Sequence, residues 1–267
     1  MKVVILAGGQ QSTISDTREG IPKPMVEIGG RPLLWHIMKH FSQFGLKEFI
    51  VCGGYRVDMI KEYFTDFYIY ESDITVDLEK NTVEIHKKRT EDWKVTVVDT
   101  GLTATPGQRI RAIAEYLQET GGEAEDAFLV TYGDCLSDVD ADELLGTHRK
   151  NNRLVTLVMA KPQGRKQLLT IDEDGLLDYE NLSPAVAEAA WVNADCFVLD
   201  KKVLNYLKGD CNLEGQVFHA LSKLGQVGAY RHEGYWTTLE TKRELADAEK
   251  LWEQGGAVWI GRPNGEG

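Results

Sequence analysis

The run Lys2–Ala7, KVVILA, is apolar at every position after its lysine and shows no alternation with polar residues. A strand of this kind needs cover on both faces. A parallel sheet held between helices supplies that cover, and a half-solvated antiparallel sheet does not. Gly8 and Gly9 follow at once. Pro32–Phe44 then places Leu34, Ile37, Met38 and Phe41 on one helical face, with Pro32 suited to the first turn and Gly45 to the stop. Glu48–Cys52 reads as a second strand, and Val57, Ile60 and Phe64 mark a second helix.

Residues 66–98 interrupt this rhythm. Ile74–Leu78 and Thr82–His86 alternate around Lys80-Asn81, the pattern of a hairpin, and Val95–Val98 adds a strand. The alternation then resumes. Gln108–Leu117 is helical, Ala127–Thr131 is a strand running into Tyr132-Gly133-Asp134, and Asp140 is placed to cap a helix to about Lys150. Leu154–Ala160 is another strand. The last third mixes a hairpin around Asp172–Gly175, a strand at Cys196–Leu199, and helices near Val217–Leu224 and Lys242–Trp252. The expectation is an α/β fold: a mixed, mostly parallel sheet flanked by helices, with a small β-hairpin insertion. Residues 1–255 read as one domain and 256–267 as a tail, frayed beyond Gly261.

Lys and Arg number 30 against 42 Asp and Glu, a formal net charge of −12. Such a chain lacks the basic surface that neutralises nucleic-acid phosphates, so no nucleic-acid partner is expected. An anionic small substrate would have to be met by local cations, backbone amides or a metal. No apolar run approaches a membrane span, and the amino-terminal segment lacks the regions of a signal peptide. Cys52, Cys135, Cys196 and Cys211 form no CxxC pair, which argues against zinc or thioredoxin chemistry and for reduced thiols in a cytoplasmic protein.

In such sheets ligands bind beyond the carboxyl ends of strands, where Gly8-Gly9 and Asp134 fall. The glycine pair serves either a tight strand exit or the close approach of a phosphate. Lys23 stands between Pro22 and Pro24, which fix where its ammonium points; otherwise it is a solvated loop lysine. Asp134 is either a cap or a hard oxygen ligand for Mg²⁺. Cys135, beside that carboxylate, reads as an apolar filler rather than a thiolate. His36 and His40 have helical spacing but no accompanying glutamate pattern, so a metal pair is not expected. The aromatic residues of Phe64–Tyr70 read as packing surface.

Taken in order, Leu6-Ala7-Gly8-Gly9, Pro22 to Gly30, Trp35-His36-Ile37-Met38, Cys52-Gly53-Gly54-Tyr55, Lys61 to Phe64, Val98 to Gly101, Gly107 with Arg109, Thr131 to Asp134, Gly164-Arg165, Trp191-Val192-Asn193 and Ala229 to His232 carry a resemblance. The chain resembles the sugar-1-phosphate nucleotidyltransferases, and among them most the glucose-1-phosphate cytidylyltransferases. The resemblance covers about residues 1–253. It implies a Rossmann-like nucleotidyltransferase fold, usually a homo-oligomer. It also implies the reaction of CTP with a sugar 1-phosphate to give a CDP-sugar and pyrophosphate, with Mg²⁺ as cofactor. Carried over by position, Gly8, Gly9, Lys23, Arg109 and Thr131 bind nucleotide. Lys23 and Asp134 are catalytic, and Asp134 and Glu240 hold the metal. Glu180, Asn193, Asp195 and Lys166 face the phosphorylated acceptor.

The departures cluster. Where the family's first loop carries a third glycine and an arginine, this chain has Gln11 and Thr13. The family's sugar-phosphate lysine is missing after Glu180, where Asn181 follows, and its Asn-Gly-Gly reads Asn193-Ala194-Asp195. A Phe-Gly reads Lys166-Gln167, and the second metal aspartate reads Glu240. The expectation is therefore a nucleotidyltransferase whose ordinary activity is impaired or altered, with Arg18 or Lys166 available as replacement cations. The alternatives are a repurposed enzyme acting on a nucleotide or sugar nucleotide, and a non-catalytic nucleotide-binding partner subunit.

Overall fold

The computed structural model describes residues 1–9, 14, 20–86, 90–118, 126–161, 170–171, 177–178 and 190–261. Its centre is a seven-stranded sheet in the order Val227–His232, Val155–Ala160, Val192–Asp200, Ala127–Tyr132, Lys2–Ala7, Glu48–Gly53, Lys94–Asp99. Val192–Asp200 runs antiparallel to both its neighbours; every other pairing is parallel. Lys2–Ala7 is thus an inner strand. Val3 and Ile5 enter one hydrophobic cluster while Val4 and Leu6 enter the other, so the run lacks polar positions because both its faces are buried.

The first cluster lies beneath the helix Leu33–Ser42, which Pro32 precedes as N-cap. His36 and His40 on that helix are buried and act structurally. His36 Nδ1 accepts from the Trp259 indole (3.2 Å), and its Nε2 lies 2.9 Å from the Ile28 carbonyl. His40 faces the carbonyls of Trp259 (2.8 Å) and Val139 (2.9 Å). Burial lowers the pKa of both imidazoles, that of His36 to about 4. Trp259, in the short turn Val258–Ile260, has no exposed surface, so this part of the carboxyl-terminal segment is packed into the core.

The second cluster is covered by Pro106–Ala112, Ala114–Gln118 and the segment Leu213–Lys223, which opens with a π-helical turn. The periodicity predicts one helix over Gln108–Leu117, but the chain breaks at Ile113. That residue is fully buried, and its amide bonds to the Ile110 carbonyl in a tightened last turn. Asp140 caps Ala141–Asn151 as expected, accepting from the Glu143 amide at 2.9 Å. The hairpin is Asp73–Asp77 with Thr82–His86, in a register that pairs Ile74 with Ile85 and Val76 with Val83. Asn81 takes the left-handed conformation at its turn (φ 53°). Thr170–Ile171 pairs with Leu177–Asp178, and the turn expected between them lies outside the described residues. Sequence periodicity misses two features: the edge strand Val227–His232, and the pairing of Cys135–Ser137 with Trp236–Thr238. The second of these shapes the site.

Candidate active site

Ala7 and Tyr132 end adjacent parallel strands, and a cleft of about 240 Å³ opens beyond them. Gly133 holds the floor. Its amide donates to the Leu6 carbonyl (3.0 Å), and a Cβ there would lie 2.9 Å from Pro24 Cγ and 3.2 Å from Ala7 Cα. Opposite, the prolines set Lys23 in a single 3-10 turn, closed by hydrogen bonds from Met25 to Pro22 (2.9 Å) and from Val26 to Lys23 (3.1 Å). From that turn Lys23 Nζ reaches Asp134 Oδ2 at 2.8 Å. Gly8 and Gly9 line the same cleft.

Glu240 reaches the cleft from the other end of the chain. Trp236–Thr238 pairs with Cys135–Ser137, and the Leu239 amide continues the contact by donating to the Asp134 carbonyl (2.9 Å). Glu240 is then held at the start of a helix: its own amide and that of Thr241 both donate to Glu244 (2.8 Å each). Asp134 and Glu240 are thereby brought to one cleft.

Close to Asp134 and Glu240 the chain places a further carboxyl, that of Asp195. Val192–Asp200 is irregular opposite Val158, because Met159 pairs with Asn193 but Leu157 with Phe197. Asp195 sits in this bulge with φ 56°, and its amide donates to Asn193 Oδ1 (3.0 Å). Burial pushes its carboxyl up to about 7, helped by the negative charges of Asp134, Glu214 and Glu240. Because the folded chain holds that proton where the unfolded chain has lost it, wild-type stability falls as pH rises from the ordinary aspartate range to about 7, then levels. Asp195→Asn lacks this slope and tolerates a positive φ. It is expected to be more stable than wild type by roughly 1–3 kcal/mol at about pH 8, the two converging near pH 4. Denaturant melts at both pH values test this. Cys135 and Cys196, buried near Asp195, have their thiols pushed up by burial first, in keeping with apolar filler.

Arg109 and Thr131 lie behind the cleft rather than on its surface. The Arg109 guanidinium is buried under Gly8, so close that a Cβ on Gly8 would overlap it. It donates to the Gly53 carbonyl (3.0 Å), the Thr100 hydroxyl (2.6 Å) and the Gly101 carbonyl (2.9 Å), tying together the ends of two neighbouring strands. Arg109→Met removes those donors, and the unfolding free energy is expected to drop by about 2–3 kcal/mol in denaturant titrations. Thr131 is buried within its strand between Ile5 and Cys196. Gln11, Thr13, Arg18, Lys166 and Glu180 lie outside the described residues. Sequence reasoning misses Tyr132, which lines the cleft and donates its hydroxyl hydrogen to Glu214 Oε1 at 2.6 Å.

Among the described residues no group of three or more His, Cys, Asp or Glu is arranged to hold a metal ion. The donor chemistry of the cleft nevertheless suits Mg²⁺, which binds through one or two carboxylates and completes its shell with substrate phosphates and water. Asp134 and Glu240 are two such carboxylates on one cleft.

A family model described as nucleotidyl transferase matches residues 2–250. Glucose-1-phosphate cytidylyltransferase of Salmonella typhi is 38% identical over 260 residues, covering 97% of this chain and 98% of the relative. The enzyme of the same description from Salmonella typhimurium matches to the same extent, 38% over 97% and 98%. Among solved structures, HddC from Yersinia pseudotuberculosis superposes with a TM-score of 0.65 over 94% of this chain and 99% of that one, at 20% identity.

Proposed function

The chain belongs to the nucleotidyl transferase family, and on that premise we propose that it transfers a cytidylyl group from CTP to a phosphorylated sugar, slowly for its family. The observation that carries this reading is the Lys23–Asp134 ion pair, set in one cleft with Gly8, Gly9 and Glu240. The acceptor's phosphate oxygen bonds to the α-phosphorus while the bond from that phosphorus to the pyrophosphate oxygen breaks. No covalent bond to the protein is needed, so positioning and charge neutralisation supply the catalysis.

Each residue has a part in this scheme. The backbone at Gly8 and Gly9 admits the triphosphate closely, and the Arg109 tie beneath Gly8 keeps that loop in place. Lys23 is held in the free protein by Asp134 and offers its ammonium to the phosphates when nucleotide arrives. Asp134 and Glu240 would hold Mg²⁺, which when bound neutralises the triphosphate and orients its oxygens. Slow turnover follows from Thr13 at the family's arginine position, because a cation on the transferring phosphoryl group is worth on the order of 10³–10⁵ in rate.

The direct test is pyrophosphate release from CTP with Mg²⁺ and glucose 1-phosphate. Measurable release that depends on the acceptor is the expected result. Failure to release pyrophosphate with any phosphorylated sugar, together with failure to bind CTP or CDP-glucose, removes the proposal. A panel of sugar phosphates run in the same assay ranks the acceptors.

A further inference from the structure

Tyr132 and Glu214 are distant in the chain and meet at the edge of the cleft that Tyr132 lines. Glu214 belongs to the π-helical turn Leu213–Phe218, and π turns recur where a fold positions a functional side chain. Two anchors hold that turn. Asn212 Oδ1 accepts from the Gly215 amide (2.8 Å), and the Cys211 carbonyl accepts from Thr105 Oγ1 (2.9 Å). Leu213, Val217 and Phe218 are buried below it. The Tyr132 ring is fixed as well, edge to face against Phe197 with centroids 6.2 Å apart, and Phe197 in turn meets Phe218 at 5.1 Å. Tyr132 lines the cleft immediately before Gly133-Asp134 and lies in the field of Asp195.

A phenol hydroxyl has a single hydrogen. At 2.6 Å that hydrogen is committed to the Glu214 carboxylate. What remains on the Tyr132 oxygen is lone pairs. We propose that Glu214 is a positioning residue for the acceptor half of the cleft: by taking the Tyr132 hydrogen it makes the Tyr132 oxygen an obligate hydrogen-bond acceptor, so this half selects molecules that bring a hydroxyl donor to it. The inference rests on the reading that a sugar occupies this half of the cleft. It deepens that reading by assigning a specificity pair, Tyr132 and Glu214, to which the resemblance gives no role.

The test is titration calorimetry of CDP-glucose and of CMP into wild type, Glu214→Ala, Glu214→Gln, Tyr132→Phe and the Tyr132→Phe/Glu214→Ala double variant. Thermal melts check that each folds. Glu214→Ala is expected to weaken CDP-glucose about tenfold, the size of losing one charge-supported hydrogen bond, and to leave CMP within about twofold. Glu214→Gln, whose amide oxygen still accepts from Tyr132, recovers most of that loss. Tyr132→Phe loses as much as Glu214→Ala, and the double variant loses no more than either, because the pair acts as one unit. Among singly deoxygenated CDP-glucoses, one position weakens wild type and is silent in Tyr132→Phe.

Wild-type affinity for CDP-glucose in Glu214→Ala overturns the inference, as does equal weakening of CMP and CDP-glucose, which marks general damage to the cleft. If wild type binds CMP but not CDP-glucose, the sugar reading itself has failed and the inference falls with it. That result is distinct from the variant results, which leave the transferase reading standing.

Discussion

Replacing Gln11 by Gly and Thr13 by Arg together raises pyrophosphate release from CTP by on the order of 10³-fold, the lower end of what a cation on the transferring phosphoryl group contributes. The sites that would serve the restored arginine are intact. Lys23 already stands at 2.8 Å from Asp134, Glu240 shares the cleft, and Gly8 is packed on Arg109. The change therefore adds charge to a cleft built to receive phosphates. The result reads out in one assay with CTP, Mg²⁺ and glucose 1-phosphate, comparing wild type with the double variant. Equal rates would mean that another cation, Arg18 being the nearest in sequence, already fills the role. Silence in both would place the block on the sugar side, at Asp195 and the missing lysine after Glu180.

Asp134→Asn is expected to lower transfer by roughly 10²–10³-fold, comparable to removing one preorganised electrostatic group from a transition-state site. Two effects combine. The amide no longer carries the charge that holds the Lys23 ammonium, and it is a poor ligand for a divalent cation. Lys23→Met separates them. It removes the ammonium and leaves Asp134 free of its partner, so it slows transfer without raising the Mg²⁺ concentration needed for half-maximal rate. Asp134→Asn raises that concentration. The double variant should fall short of the product of the two losses, since the residues are in direct contact. Additive losses would mean that they act independently.

Much of this architecture was legible because it rests on runs that one kind of environment produces. KVVILA demanded a doubly covered strand and became one. The cap at Asp140 and the hairpin turn at Asn81 are local signals with local causes, and they appeared where the chain carries them, whereas Pro32, read as part of the first helical turn, stands just before the helix. The features that escaped are set by distant partners. Trp236–Thr238 and Cys135–Ser137 are too short to show a period and exist because they pair with each other. Val227–His232 carries Gly228, Arg231 and His232, a composition that an edge strand tolerates and that periodicity does not flag. Helix propensity alone runs straight through Ile113, whereas burial turns the chain there.

The site divides in the same way. Gly8, Gly9, Lys23, Asp134 and Glu240 come together on one cleft, and each lay in a motif or beside a strand end. Arg109 lay in a motif too, yet it lies beneath the loop, since only coordinates reveal that Gly8 is small because a guanidinium fills the space below it. Glu214 had no signal at all. It is an ordinary glutamate in a polar stretch until the fold carries it to Tyr132.

The contact between Leu239 and Asp134 has a further consequence for how the cleft comes into being. Its two acidic arms, Asp134 and Glu240, are 106 positions apart in the sequence, and they are brought together through a pair of three-residue strands. Closing so large a loop costs chain entropy before the contact returns any energy, so this closure belongs to the late part of folding. During synthesis a ribosome can release the first strands and the Lys23 turn well before Glu240 emerges. Until then the nascent chain exposes a half-built pocket, and the completed cleft is a product of the finished protein alone.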